Sequence, residues 1–275
     1  MCKNKTWYGL PQEQVIDFLA PQNEISGLYH YTTMEALING IIGTSNKKDE
    51  EICLWATHCR YLNDPEELKR GELLVGETIK ELETKFASYL VAQSIDLSDL
   101  VKQYQQRCEE VYMISLSENA DSLPMWSMYG NNGHGVAIEL YTTIAQRDPN
   151  DIFVKCQYRD KRVMGLITDG LKKNQKLAAI TISLLPFMWK NQAYEYEKEY
   201  RFVTFPNPNS VKYRCKNGIA IPYTEVRFSK ELIKSIIIGP SANKELVKNA
   251  LRKFLNQNNM SQVEIKQSQV PYRVM

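Results

Sequence analysis

Apolar positions along the chain repeat with two periods. Alternation of the kind a strand shows runs through LYHYT, from Leu28 to Thr32, and EICLWAT, from Glu51 to Thr57. It returns in VYMISLS from Val111 to Ser117, GVAIEL from Gly135 to Leu140, and DIFVKCQY from Asp151 to Tyr158. EYRFVTF from Glu199 to Phe205 is rich in β-formers, and KSIIIGP predicts a buried strand that ends at Gly239. A period near four governs other stretches. Leu74, Thr78, Leu82 and Phe86 recur every fourth position, with Ile79 and Leu90 beside them. LSDLVKQYQQRCEE, from Leu97 to Glu110, predicts a helix able to pair with that one as an antiparallel hairpin.

Shorter helices are expected over PQEQVIDFLA, over MEALING closed by Gly40, and over LPMWSMYG with Pro124 near its start. Ser241 is placed to cap NKELVKNALRKFLNQ. The stretch from Lys161 to Gln192 is helical and partly apolar, and its run Leu177–Trp189 predicts a buried helix. The final VEIKQSQVPYRVM supplies one or two edge strands. The sum is an α+β fold, a mixed and largely antiparallel sheet with flanking helices. With no repeat, low-complexity block or linker, 1–275 reads as a single domain with its core in 25–275. A helical insertion covers about 65–110 and a helical segment about 161–192.

Composition narrows the function only a little. The 275 residues are ample for a buried core, and 34 basic against 32 acidic side chains call for neither nucleic acid nor an anionic membrane. MCKNKTWYGLPQEQ lacks the apolar core of a signal peptide, and the longest apolar run contains a proline and is short for a bilayer span. The six cysteines are spread without a C-x-x-C pair, which points to reduced thiols in a cytoplasmic protein. His30, His58 and His134 lie far apart and outside any metal-ligand spacing, so no metal is expected. The sequence has no Walker loop, no G-x-G-x-x-G after a strand and no G-x-S-x-G elbow.

Four stretches can carry chemistry. In YEYEKEYR, if extended, Glu197, Glu199 and Arg201 share one face. They form either a solvated charge ladder or a carboxylate at the start of a core strand that faces a pocket, with Arg201 holding it ionised. In LPMWSMYGNNGHG, Trp126 and Tyr129 stand at i and i+3, either as core or as the walls of a slot for a flat ring. Asn131, Asn132 and Gly133 make a turn, and His134 is a loop residue. In RYLNDPEE, Asn63 or Asp64 can cap the following helix, with Pro65, Glu66 and Glu67 in its first turn. His58 is a surface or capping residue. His30 is either a satisfied strand histidine or a ligand-facing one.

The order LYHYT, LNDPEE, SLSE, MWSMY with GVAIE, and Trp189 followed by EKEYR resembles a bacterial family of uncharacterised domains, from about Leu28 to about Gly239. More distantly, YHYT followed by a helix resembles the opening of ADP-ribosyltransferases, which carry a histidine, then an aromatic, then a catalytic glutamate in that order. The resemblance implies an ADP-ribosyltransferase-like fold and NAD as substrate. Glu199 takes the catalytic place, with Glu197 its competitor, and His30 is a fixed donor to the adenosine ribose. Thr32 bonds an amide nearby. Trp55, Trp126 or Tyr129 holds the nicotinamide, with Tyr61 the alternative to Trp55. Tyr31 replaces a small residue and narrows the channel; Asn63 and Arg201 complete the binding set. The acceptor of ADP-ribose would be a macromolecule, protein or nucleic acid, and the protein a toxin or phage-defence effector. Two other classes stay open: a non-catalytic module that senses a nucleotide or a phage component, and a magnesium-dependent nuclease-like toxin using Asp64, Glu67 and Glu199. The transferase requires His30 and Glu199 to face one cleft from adjacent strands; if they stand on opposite faces of the sheet, that reading collapses.

Overall fold

The alternating segments pair into one ten-stranded sheet, seen in a computed structural model that describes residues 6–7, 10–43, 50–64, 67–92, 96–105, 110–146, 148, 151–216 and 218–272. A two-stranded ribbon, β1 (Thr6–Trp7) and β2 (Leu10–Pro11), precedes helix α1 (Gln12–Leu19). The large sheet is made of β3 (Leu28–Thr32), β4 (Glu51–His58), β5 (Tyr112–Ser117), β6 (Val136–Leu140), β7 (Ile152–Lys155), β8 (Glu199–Thr204), β9 (Lys212–Lys216), β10 (Ile219–Ser229), β11 (Ile233–Ile238) and β12 (Glu264–Gln267). Its main path is β12-β11-β6-β3-β5-β4-β10-β9, with β8 on β5 and β7 on β8. Only the edge pair β11–β12 is parallel, so the α+β fold has a mixed, mostly antiparallel sheet as expected.

β5 determines where the site lies. One of its edges pairs with β8 over all six residues, from Tyr112↔Thr204 to Ser117↔Glu199. The other edge is shared. Ser117 meets Tyr29 of β3 at one end, and Tyr112 and Met113 meet His58 and Thr57 of β4 at the other. Between those contacts β3 and β4 part, and Ile114, Ser115 and Leu116 lie at the fork.

The remaining helices are α2 (Glu67–Lys85), α3 (Ala87–Ala92), α4 (Leu97–Gln105), α5 (Leu123–Met128), α6 (Asp160–Lys173), α7 (Gln175–Met188) and α8 (Lys244–Gln257). α7 is buried on every side. One side joins Met113, Val154 and Val203 of the sheet, and the other joins α2, α4 and α6. This double contact is why its sequence is apolar all round instead of striped. The two helical segments read separately in the sequence thus form one bundle about α7, and α2 and α4 each pack on α7. Gly71 permits the close crossing: a Cβ there would stand 2.5 Å from the Cα of Pro186.

Several expectations are corrected. The helix after β3 does not close at Gly40 but continues as a π-helical turn, Ala36–Ile42, with Gly40 packed against Trp55. The segment 161–192 is two helices, because Asn174 ends α6 and its side chain caps α7 through the Lys176 N–H at 2.9 Å. Asn243, not Ser241, caps α8. The β9–β10 hairpin has no counterpart in the expected elements. Its Pro222 lies one residue beyond the β4 ladder, which starts at Tyr223, so on that side no ladder bond is lost. Cys53, Cys59 and Cys156 are buried and Cys215 is exposed, none of them in a disulfide among the described residues; Cys2 and Cys108 lie outside the described residues. Among the described residues no helix is long and apolar enough to cross a membrane.

A candidate ligand cavity at the strand fork

A cavity opens where β3 and β4 diverge. It holds about 880 Å³ of empty space, its open mouth included. Its floor is a buried ion network. Glu197, Glu199, Arg201 and Lys190 are each less than a tenth exposed, so YEYEKEYR forms no solvated ladder. Arg201 donates from Nε to Glu199 Oε1 at 3.1 Å and from Nη2 to Glu199 Oε2 at 2.9 Å. Its Nη1 donates to the Phe187 carbonyl at 2.7 Å, one of the free carbonyls in the last turn of α7. Lys190, two residues past the end of α7, bonds Glu197 Oε2 at 2.5 Å and Glu199 Oε2 at 2.7 Å. The Cys156 thiol also donates to Glu199 Oε2, at 3.6 Å.

Burial alone would raise the pKa of Glu199, but Arg201 and Lys190 outweigh it and hold the carboxyl well below the usual range. Burial likewise opposes the charge on Lys190, and Glu199 and Glu197 more than offset it. Glu197 is as buried but is not held by Arg201. Its Oε1 accepts from the Tyr129 hydroxyl at 2.7 Å, and Lys190 bonds its other oxygen.

His30 lines the same cavity from β3, half-buried, with Nδ1 3.2 Å from the Ser115 carbonyl at the fork. That contact makes Nδ1 the donor and leaves Nε2 an acceptor when the ring is neutral. Burial pushes its pKa down, Arg214 adds to the fall, and the Ser115 bond only partly opposes it. By cross-strand register Tyr29, Ser117 and Glu199 share one sheet face. His30 alternates to the other face, yet it is among the residues that line the cavity.

The structure therefore brings His30, Tyr31, Asn63, Tyr129, Glu197, Glu199 and Arg201 to one cavity and leaves three expected residues out. Trp126 is fully buried, its Nε1 bonded to Asp121 and its ring edge-on to Tyr31 at 4.8 Å, so no ligand ring can stack on it. Trp55 packs against Gly40 and Tyr223, and the alternative aromatic, Tyr61, lines the cavity in its place. Thr32, paired with Val136, is not among the lining residues. Tyr31 contributes only its rim, since its hydroxyl donates to the Asn119 carbonyl and its ring is core. His58 does cap, with Nδ1 accepting from the Arg60 N–H, but it is buried. Asn63 and Asp64 line the cavity; Pro65 and Glu66, with which they were to start a helix, lie outside the described residues, as does the side chain of Glu67. Among the described residues no group of three His, Cys, Asp or Glu side chains is placed to hold a metal ion.

Sequence reasoning missed Lys190 and Arg214. Lys190 had a signal: it is the first charged residue after thirteen uncharged ones, Leu177–Trp189, so the chain must bury or pair it where the helix ends. No curated protein and no solved structure matches the chain. Residues 125–202, which run from within α5 through β6 and α7 and carry Lys190, Glu197, Glu199 and Arg201, match a family of domains described as Protein of unknown function (DUF2971).

Proposed function

We propose that the cavity binds NAD, breaks the bond between nicotinamide and ribose, and passes ADP-ribose to a macromolecular acceptor. The observation that supports this most is that His30 and the carboxylates of Glu197 and Glu199 line one cavity; against it stands the sheet register, which starts His30 from the face opposite Glu199 and on a strand that is not its neighbour. In the reaction the bonding pair of the ribose C1′–N bond leaves with nicotinamide. C1′ becomes cation-like, as in glycoside hydrolysis, and an acceptor nucleophile then bonds it and loses its proton. A fixed carboxylate beside the ribose stabilises that cation and takes a hydrogen bond from the 2′-hydroxyl. Glu197 suits this contact better than Glu199, because it is not clamped by a guanidinium; its donors are Lys190 and the phenols of Tyr129 and Tyr196. Glu199, with four donors on its two oxygens, holds Lys190 and Arg201 in place. The neutral imidazole of His30 offers Nε2 as an acceptor to a ribose hydroxyl, the reverse of the donor role expected of it, because Nδ1 spends its proton on the Ser115 carbonyl. Tyr61 and Tyr129 supply aromatic surface for a flat ring.

The test is incubation with NAD labelled in the adenylate half, together with bacterial lysate, following both label transfer and nicotinamide release. The expected result is transfer by the wild-type chain and loss of at least a hundredfold in Glu197→Gln. Absence of both signals in the wild type ends the proposal.

A second reading, a non-catalytic module that senses a nucleotide, is favoured by one observation: Glu199 is fully occupied by Arg201, Lys190 and Cys156, as a structural carboxylate would be. Equal NAD binding by wild type and Glu197→Gln, without turnover in either, supports it over the transferase.

A further inference from the structure

Arg214 sits on the edge strand β9, opposite Ile221 of β10, where a guanidinium could turn to solvent. Instead it crosses β10 and lines the cavity. Its Nη2 donates to Thr57 Oγ1 on β4 at 2.9 Å, and its guanidinium carbon lies 5.5 Å from the Trp55 ring and 5.8 Å from the Tyr223 ring. Its Nε is buried with no hydrogen-bond partner, and the Nε1 of Trp55 in the same cluster is also buried without one.

Among the described residues no carboxylate pairs with this cation. Glu225, on the same sheet face, is taken by Lys212 and Arg227, and Glu197 and Glu199 are taken by Lys190 and Arg201. Burial weakens the hold of Arg214 on its proton, and only the Tyr223 phenol opposes that. A half-buried cation held by one neutral hydroxyl and two ring faces lacks the countercharge that normally accompanies it. Arg214 lines the cavity, Thr57 takes a bond from only one of its terminal nitrogens, and a guanidinium's planar set of donors is fitted to an oxyanion.

We infer that Arg214 seats the phosphate or pyrophosphate of the cavity's ligand, at the end of the cavity away from the acidic floor. A nucleotide fits both ends, with its charged group on Arg214 and its hydroxyls toward Glu197. The inference rests on the cavity being the ligand site, as proposed above, and does not need ribosyl transfer to occur.

Calorimetric titration of the full chain with ADP-ribose, inorganic pyrophosphate, adenosine and acetate tests it, on wild type, Arg214→Gln and Arg214→Lys. Pyrophosphate should bind the wild type and compete with ADP-ribose, and acetate at equal ionic strength should not. Arg214→Gln should weaken ADP-ribose and pyrophosphate at least tenfold and leave adenosine within about twofold. Arg214→Lys should recover part of the loss, which a folding defect would not do. Equal affinity of Arg214→Gln and wild type for pyrophosphate overturns the inference. So does no binding of pyrophosphate to the wild type, or equal competition by acetate. If pyrophosphate binding depends on Arg214 but NAD is never cleaved, the anion seat stands and the transferase falls.

Discussion

Replacing Lys190 by methionine tests whether the charges under the cavity are held by one another and not by water. The ammonium lies 2.5 Å from Glu197 and 2.7 Å from Glu199, and the Lys190 and glutamate side chains are 7% and 4% exposed. Methionine keeps the apolar stem and removes the charge. Glu199 then keeps both bonds from Arg201, whereas Glu197 keeps phenol donors, Tyr129 and Tyr196, and no cation. Removing one partner of a buried pair costs about 3–5 kcal/mol. With Arg201 still on Glu199, the lower end of that range, about 3 kcal/mol, is expected, and it falls mainly on Glu197. Adding Glu197→Gln to the methionine variant removes the stranded charge and should recover about 1–2 kcal/mol. The pH sign is also fixed. A carboxylate stranded in a low-dielectric site binds its proton more tightly folded than unfolded, so Lys190→Met should regain stability relative to wild type as pH falls from 7 toward 5. Urea unfolding of the three proteins at both pH values, followed by tryptophan fluorescence, reads all of this. A loss below about 1 kcal/mol for Lys190→Met, the scale of a solvated pair, would refute the reasoning.

Other perturbations separate structural from ligand-facing residues. Glu139 is held to a pKa of about 2: burial opposes its charge, but hydrogen bonds from Lys234, Ser235 and Lys266 prevail. Its contribution is therefore complete above the unfolded pKa and lost as pH falls through about 2. It is at most about 3 kcal/mol, and less as salt screens the two half-exposed lysines. Acid titration of Glu139→Gln should lack that slope. Gly71→Ala should destabilise by about 1–3 kcal/mol despite its better helix propensity, because the new methyl meets the Pro186 backbone. Gly76→Ala, with nothing within 4 Å of the new Cβ, should stabilise by up to about 1 kcal/mol, and thermal melts of the pair check both. Trp126→Ala should cost about 3–5 kcal/mol as a core deletion. Tyr129→Phe, which removes the hydroxyl that donates to Glu197 and is also hydrogen-bonded to Asn63, should cost no more than about 1.5 kcal/mol, yet change ligand affinity in titration.

The elements legible in the sequence are those whose burial is one-sided or complete. β3, β4, β5, β6, β8 and β11 were read from alternation or apolar runs because each buries at least one face in the core beneath the sheet. α7 was legible as a buried run because both its sides are covered. The β9–β10 hairpin was not, since its charged residues and Pro222 mask the pattern; only Asn217-Gly218, a strong hairpin turn pair, signalled it. Trp126 and Tyr129, three apart on one helix, could not be told apart by spacing. Trp126 meets Asp121 and Tyr31 in the interior, and Tyr129 reaches across to Glu197.

The acidic pair shows why a site can be guessed for a reason that is only half true. Alternation put Glu197, Glu199 and Arg201 on one face on the condition that the segment is extended. It is extended only from Glu199 onward; Glu197 ends a 3-10 turn, and Lys198 adopts the left-handed conformation at φ 44°. Strand register therefore joins Glu199 to Arg201 but says nothing of Glu197. What returns Glu197 to its neighbour is the end of β5 and the loop after it. Ser117 Oγ donates to the Glu197 carbonyl, the Asn119 side chain to the Tyr196 carbonyl, and the Glu118 N–H to the Lys198 carbonyl. The two carboxylates are then joined by Lys190, delivered by the end of a buried helix. The chemistry at the fork thus depends on a turn, a strand and a helix end meeting. Each leaves a local trace in the sequence, and only the fold brings them into contact.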